Sequence, residues 1–351
     1  GEIVLSAYNA RDHAEFRVKA KVEEPGDMVV VADKALPQLI SSLAGQDLLL
    51  TDGKGGSVLN ISTPAADYSV PSIPVAGWPE FPVPAGEVRH ATLPLDAFFA
   101  ASRKAGKAAA NNEQKRPILN GLLMAFEEGN LRLAATDSYC LSVRNVPATG
   151  DAAGTGCVVH AKSLDTLIKM AKPFQDSGEV AVTLELDRRL CFEIPGRFRF
   201  ATAVLGDQSK FPNIANAIPK QFAVDLLFDR RQMQAAYKRV SIFVGDTDMN
   251  PLVMRFEENG TAELLAENSA STVGTGREKL SASNVASFEQ DEDYVVAMKV
   301  PMLSTGFGLV EGDVLRLRLS PMTGNQVVVF SEEGNGDELG DFYLAIASKM
   351  R

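Results

Sequence analysis

The amino-acid sequence predicts an α+β protein made of three tandem copies of one domain, each copy two helices laid on two small antiparallel sheets. Two observations carry this. A strand-to-helix phrase occurs three times: "VVADKALPQLISSLA" at 30–44, "VVHAKSLDTLIKMAK" at 158–172 and "VVAMKVPMLSTGFGL" at 295–309, with a lysine at the fifth step of each (Lys34, Lys162, Lys299). A glycine followed by an alternating strand precedes each phrase: "GEIVLSAYN" from Gly1, "GNLRLAATD" from Gly129 and "GTAELLAEN" from Gly260. The period of about 130 residues is far longer than a solenoid or propeller repeat, so the repeating unit is a whole domain. The boundaries fall at 1–85, 86–220 and 221–351.

The second copy shows the pattern in full. "HATLPLDAFFAASRKAGKAAA" begins as a short strand and continues as a helix. Leu95, Phe98, Phe99, Ala105 and Ala108 approximate one helical face, and Asp96 is a first-turn acid suited to the helix dipole. Three strand-like runs follow, "ILNGLLMAFEE", "NLRLAATD" and "YCLSVRNVP", separated by glycine or acidic turns. Then come the "VVHAK" strand and its helix, and a meander of "GEVAVTLEL", "RRLCFEIPG" and "RFRFATAVL". The two halves of the domain resemble each other. The first copy is expected to be incomplete, because about forty residues of the second copy before Gly129 have no counterpart before Gly1. Asp52-Gly53-Lys54-Gly55-Gly56 reads as a hairpin tip. It lacks the helix that a phosphate loop requires.

Composition narrows the function. The 351 residues are 45% hydrophobic and 23% charged, with no run long enough to span a membrane and no signal peptide in view. Three cysteines without metal-ligand spacing argue against a disulfide framework or a zinc site and suit the cytoplasm. The net charge of −10 excludes a broadly basic coat for nucleic acid. Charge is nevertheless sorted by element. Arg103, Lys104, Lys107, Lys162, Lys169 and Lys172 fall on the helices of copy two, and Arg230, Arg231, Lys238 and Arg239 on the first helix of copy three. Acids gather in turns such as "EEPGD", "FEENG" and "FEQDED". Equivalent helices in repeated domains point in equivalent directions, so these cations suit a polyanion recognised through its phosphates. No aromatic residues interleave them, which favours duplex over single strands.

This pattern resembles the bacterial sliding clamp, the β subunit of DNA polymerase III. The resemblance rests on "RPILNGLLMAFEEGNLRLAATDSYCLSV" (116–143) and "RFRFATAVLGDQSKFPNIANAIPK" (197–220), and it runs along nearly the whole chain. It implies a homodimeric head-to-tail ring with helices lining the hole. The ring would encircle duplex DNA, without sequence preference, at replication forks. It would tether replicative and translesion polymerases and the clamp loader, and it would have neither cofactor, metal nor membrane association. Carried over by motif, the DNA-facing residues are Lys34, Arg103, Lys104, Lys107, Lys162, Lys169, Arg230, Arg231, Lys238 and Lys299. A peptide-binding pocket would take Leu119, Thr136, Ser138, Tyr139, Cys140 and Leu141 from copy two. Pro212, Asn216 and Ala217 would come from the connection, Met249 from a rim, and Leu344, Ala345, Ile346, Ala347 and Ser348 from the last strand. Tyr68 and Val70 would meet Phe243 and Val244 of a second subunit.

The chain departs from the family at this pocket. The usual "TDGHRL" is "TDSYCL" at 136–141, "IASK" stands in place of "MPMR" at 346–349, and an expected arginine is Asn216. These changes predict an altered peptide preference. Two other classes compete. An enzyme would use Cys140 with His160, or Asp137 with Asp207, but each sits where a small core residue or a turn acid is ordinary. A β-rich scaffold or adhesion protein would not need its basic residues on helices.

Overall fold

Alternating strands punctuated by glycine turns fold here as antiparallel meanders, and each helix follows directly from a strand that delivers it to the sheet. The structure, a computed structural model, describes residues 1–30, 34–53, 55–73, 75–244, 251–267, 274–289, 292–322, 326–333 and 340–347. The chain divides into two compact units, Gly1–Val83 and Pro84–Arg351.

The first unit contains a hairpin of β1 (Glu2–Tyr8) and β2 (Asp12–Lys19). It also contains a sheet in the order β3-β6-β5-β4, formed by β3 (Val29–Val30), β4 (Leu49–Gly53), β5 (Val58–Ser62) and β6 (Asp67–Ile73). Helix α1 (Ala35–Ser42) follows β3. Asp52 Oδ1 accepts from the Gly56 amide at 2.7 Å at the expected hairpin tip, where Gly55 and Gly56 take positive φ.

The second unit contains two copies of one element order. The first runs β7 (Val88–Pro94), α2 (Leu95–Gly106), β8 (Gly121–Glu127), β9 (Asn130–Thr136), β10 (Cys140–Pro147), β11 (Thr149–Gly150), β12 (Gly156–His160), α3 (Ala161–Ala171), β13 (Glu179–Glu185), β14 (Arg189–Ile194) and β15 (Phe198–Asp207). The second runs β16 (Val224–Asp229), α4 (Arg230–Ser241), β17 (Leu252–Phe256), β18 (Thr261–Glu267), β19 (Thr275–Ser281), β20 (Asn284–Phe288), β21 (Tyr294–Met298), α5 (Val300–Leu309), β22 (Val314–Leu319), β23 (Val327–Glu332) and β24 (Phe342–Ile346). The pairings repeat as well: β12-β8-β9-β10 matches β21-β17-β18-β19, and β7-β13-β14-β15 matches β16-β22-β23-β24. Within each copy, both halves read strand, helix, three strands, with one further short strand (β11 or β20) closing the first half. This is the internal resemblance expected from the sequence.

The helices start where local chemistry dictates. Asp229 caps α4 by accepting from the Gln232 amide at 2.8 Å, and His160 Nδ1 caps α3 by accepting from Lys162 N at 3.1 Å. The expected apolar face of α2 is buried: Leu95, Phe98, Phe99 and Ala105 are each no more than 3% exposed. Phe98 stacks on Phe192 at 5.5 Å between ring centroids. In the other copy Phe307 of α5 meets Phe330 edge-on at 5.3 Å, and Phe330 contacts Tyr343 at 5.9 Å.

Two expectations need correction. The recurrent lysine does not occupy equivalent positions: Lys34 and Lys299 immediately precede α1 and α5, whereas Lys162 is the second residue of α3. The copy-two helix begins earlier because His160 can cap it. The run "ILN" is not strand. Pro117 starts a 3-10 turn over Pro117–Asn120, and the Asn120 amide and carbonyl bond the Glu113 backbone, so β8 starts at Gly121.

Gly306 tests the α5 packing. A Cβ built there would lie 2.9 Å from three ring atoms of Phe330, which is itself 1% exposed and has no room to yield. Gly306→Ala is expected to cost about 1–3 kcal/mol. The readout is the thermal unfolding midpoint, and an unchanged midpoint would contradict this packing.

Candidate functional site

The two copies in the second unit are joined by one ladder. Strand β10 pairs antiparallel with β24 in the register Cys140↔Ala345, Leu141↔Leu344, Ser142↔Tyr343 and Val143↔Phe342. Successive strand residues point to opposite faces, so this register fixes what each face presents. One face carries Leu123, Ala134, Leu141, Val143, Phe342 and Leu344 in a single apolar cluster with Val158, Val327, Val329 and Phe211. Ile118, Leu205, Ile214, Ile218, Phe222 and Ile346 pack on it while keeping part of their surface exposed. The opposite face receives the helices. Ser142 lies against α2, its hydroxyl 3.5 Å from the Lys104 carbonyl, and Tyr343 continues the aromatic chain to Phe307 of α5.

The expected pocket residues therefore separate by face. Thr136 is directly opposite Leu141, so Thr136, Leu141, Leu344 and Ile346 share the apolar face. Cys140 and Ala345 alternate to the helix side, where only their backbone can serve the other face. Leu119 is 1% exposed, and its carbonyl accepts from Ala110 N; its neighbour Ile118 is the one that reaches the cluster. Pro212, Asn216 and Ala217 are exposed on the segment that covers the cluster. Met249 and Ser348 lie outside the described residues. Motif spacing did not single out Ile118, Ile214, Ile218 and Phe222. The signal for Ile214, Ile218 and Phe222 was an apolar residue at intervals of four through an otherwise polar connection, whereas Ile118 sat in a run read as strand.

A strained turn stands at the rim. Ser138 has φ +82°, a conformation that costs an L-residue about 1–2 kcal/mol. Several bonds hold it. Thr136 Oγ1 accepts from Ser138 N at 3.0 Å, Asp137 Oδ1 accepts from the Tyr139 and Cys140 amides at 2.8 and 2.7 Å, and Arg116 Nη2 donates to Ser138 Oγ at 2.8 Å. The turn leaves Tyr139 63% exposed, while the Tyr139 carbonyl accepts from Ile346 N at 2.9 Å. Arg116 thus places a cation beside the turn at which the motif arginine is Cys140 in this sequence.

The basic residues are not equally available. Lys34, Lys107, Lys162, Lys169, Lys238 and Lys299 are exposed. Lys104 pairs with Glu311 at 2.7 Å and Arg231 with Asp313 at 3.6 Å. Arg230 is half-buried and turned inward, donating to the Gly312 carbonyl and to Gln234 Oε1, which removes it from the exposed helix face. Arg103 lines an open cleft of about 520 Å³ together with Phe99, Asp96 and Asp176.

Of the expected subunit-contact residues, Tyr68 and Val70 are half-buried neighbours on one face of β6, an inner strand of its sheet. Phe243 lies over Gly276 of β19. Val244 is only 4% exposed, so its side chain belongs to its own domain; adjacent Ile242, at 67% exposure, is the open apolar residue there.

This architecture of repeated sheets with a helix layer on one face is the sliding-clamp fold. The chain superposes on the Bacillus subtilis DNA polymerase sliding clamp with a TM-score of 0.85 at 15% identity, covering 100% of this chain and 89% of that one. On the Pseudomonas aeruginosa clamp the TM-score is 0.82 at 19% identity, with 99% and 89% covered. In sequence it is 24% identical over 347 residues to the beta sliding clamp of Synechocystis sp., covering 94% of this chain and 85% of that one. It is also 24% identical over 331 residues to that of Streptomyces coelicolor, covering 92% and 82%. Residues 98–213 match the family model described as the DNA polymerase III beta subunit, central domain.

The residues weighed as catalytic pairs, Cys140 with His160 and Asp137 with Asp207, are engaged otherwise. Burial pushes the Cys140 thiol up to about 12, and the same cause pushes Cys157 to about 12, so neither supplies a thiolate near neutrality. His160 is committed as the cap of α3, Asp137 to its turn, and Asp207 accepts from Ser209 N at 2.7 Å. Cys140 and Cys157 are expected to resist iodoacetamide in the native protein at pH 8 and to alkylate on denaturation, as read by peptide mass spectrometry. Rapid native alkylation of Cys140 would reopen the nucleophile reading.

Proposed function

We propose that this chain is a sliding clamp of chromosomal replication. Two copies close head to tail into a ring around duplex DNA and hold a polymerase there. The observation that carries the proposal is the division of the second unit into two faces: helices with exposed lysines on one side of the β10–β24 seam, and a partly exposed apolar cluster on the other. The cationic face attracts phosphates without selecting a base sequence, as sliding requires. The apolar face offers the half-buried Ile118, Ile214 and Ile346 and the exposed Tyr139 to an extended peptide, with aliphatic anchors setting the affinity. Replicative and translesion polymerases and the clamp loader are the partners it suits, in the cytoplasm at replication forks. The physical benefit is effective concentration, since a tethered polymerase rebinds its template as an intramolecular event. The domain limits 1–85, 86–220 and 221–351, and the contact of Tyr68 and Val70 with the 242–244 turn of a second subunit, belong to the same proposal.

Topology is the decisive test. Loaded on nicked circular DNA, the protein is expected to stay on through gel filtration and to be lost once the circle is cut. Equal retention on circular and linear DNA would identify a groove binder instead. The apolar face has its own test, fluorescence titration with a consensus clamp-binding peptide. Tyr139→Ala and Ile346→Asp are each expected to weaken binding about tenfold or more, equivalent to at least about 1.4 kcal/mol. If the unaltered protein shows no binding at roughly several hundred micromolar, an affinity weaker than about −5 kcal/mol, the peptide site is lost.

A further inference from the structure

Resting on the proposed encirclement of duplex DNA, we infer that DNA contact in the second unit is unequally shared. The lysines at the outer face and C-terminal ends of α2 and α3 carry it, and the arginines of the same helix layer do not. The argument begins with helix geometry. Helix α3 buries Leu164, Leu167, Ile168 and Ala171. At 100° per residue, Lys162 and Lys169 fall on the opposite side, one above the other at i and i+7. Lys107 and Lys172 follow at the C-terminal ends of α2 and α3, where the helix dipole favours a cation whether or not a ligand is present. All four are exposed, and none forms an ion pair within 4.0 Å among the described residues. Asp165 shares the exposed side of α3 and is the one acid there; it is not within that distance of either lysine.

The arginines are different. Arg239 makes a bidentate pair with Glu278 of β19, with the Nε–Oε2 distance 3.0 Å. Arg231 faces Asp313, and Arg230 is turned inward to the Gly312 carbonyl. Arg103 makes no ion pair within 4.0 Å among the described residues, but it shares its cleft with Asp96, seven residues earlier on the same side of α2, and with Asp176 from the turn after α3, and these two acids oppose the approach of a phosphate. Affinity for duplex comes from counterions released when free cations replace them at phosphates. A guanidinium already neutralised by a carboxylate must first give up that partner, so it adds little to the net release. Lys238 and Lys299 are the exposed lysines left on the copy-three helices, so the copy-two side holds the duplex more strongly.

The test compares two triple variants that remove equal charge. Binding of a fluorescein-labelled duplex of roughly 30 base pairs is followed by anisotropy between about 25 and 150 mM KCl, and log affinity is plotted against log salt. K107Q/K162Q/K169Q is expected to flatten the slope by about 2 to 3, since each lost phosphate contact removes about 0.9. R103Q/R231Q/R239Q is expected to change it by less than about 1. Equal flattening by both variants, or more by the arginine set, overturns the inference and leaves only a net-charge effect. Unaltered protein with no salt-dependent binding overturns the DNA reading itself, a result that the variants cannot mimic. Gel filtration and thermal melts confirm folding. Should the lysine triple fail to fold, K162E alone is expected to lower affinity several-fold at the lowest salt; unchanged affinity would equally overturn the inference.

Discussion

The pairing of β10 with β24 is the constraint on which the rest of the second unit depends. Four residue pairs turn two repeated domains into one continuous sheet. Because side chains alternate along a strand, that register decides at once which residues meet the helices and which meet the covering connection. A slip of one residue would send Leu344 to the helix side and Tyr343 out, exchanging an aromatic core for an aliphatic surface. The apolar face and the lysine-bearing helices are therefore consequences of a single registration.

Polar contacts keep that registration from shearing. Arg144, 3% exposed on β10, donates to the Leu309 carbonyl at the end of α5 at 3.3 Å. Burial pulls the Arg144 pKa down, and Asp341, Glu332 and Glu311 act against it. Asn145 donates through both its backbone and side-chain amides to Asp341, and Lys104 reaches Glu311. Each bond joins one copy to the next. Buried ionic groups add little net stability but penalise wrong arrangements, because misregistration would strand a charge without partners. The seam is thus apolar for adhesion through Leu141 and Leu344, and polar for alignment through Arg144, Asn145 and Asp341.

Much of this was legible in the sequence because repeats and period-two alternation are local signals. "GNLRLAATD" could be assigned as a strand from its own letters, and the buried face of α2 from the spacing of Leu95, Phe98, Phe99 and Ala105. What was not legible depended on distant partners. No spacing shows that Arg239 is held by Glu278 or Lys104 by Glu311, because the partners lie 39 and 207 residues away. Alternation alone told Cys140 from Leu141, but only the ladder with β24 told which of them faces the helices. The lysine of the strand-to-helix phrase misled for a related reason. Letters align by identity, whereas helices start where a residue can cap them, and His160 caps while Lys34 and Lys299 do not.

On the proposed function, an acidic protein that holds DNA would have to separate its charges, and the fold uses different elements for each sign. Acids occupy the turns between strands, where they bond local amides, as Asp137 and Asp207 do. Lysines occupy the outward faces and ends of the helices. The net negative charge then discourages any tight, static complex with a polyanion, while the local cations permit a weak one. Replacing the engaged arginines with free lysines on every helix would deepen the electrostatic well. It would also raise the barrier between successive positions along the duplex, and a protein that must move along DNA gains nothing from that. On that proposal, the carboxylates that neutralise Arg231 and Arg239 would serve motion as well as stability.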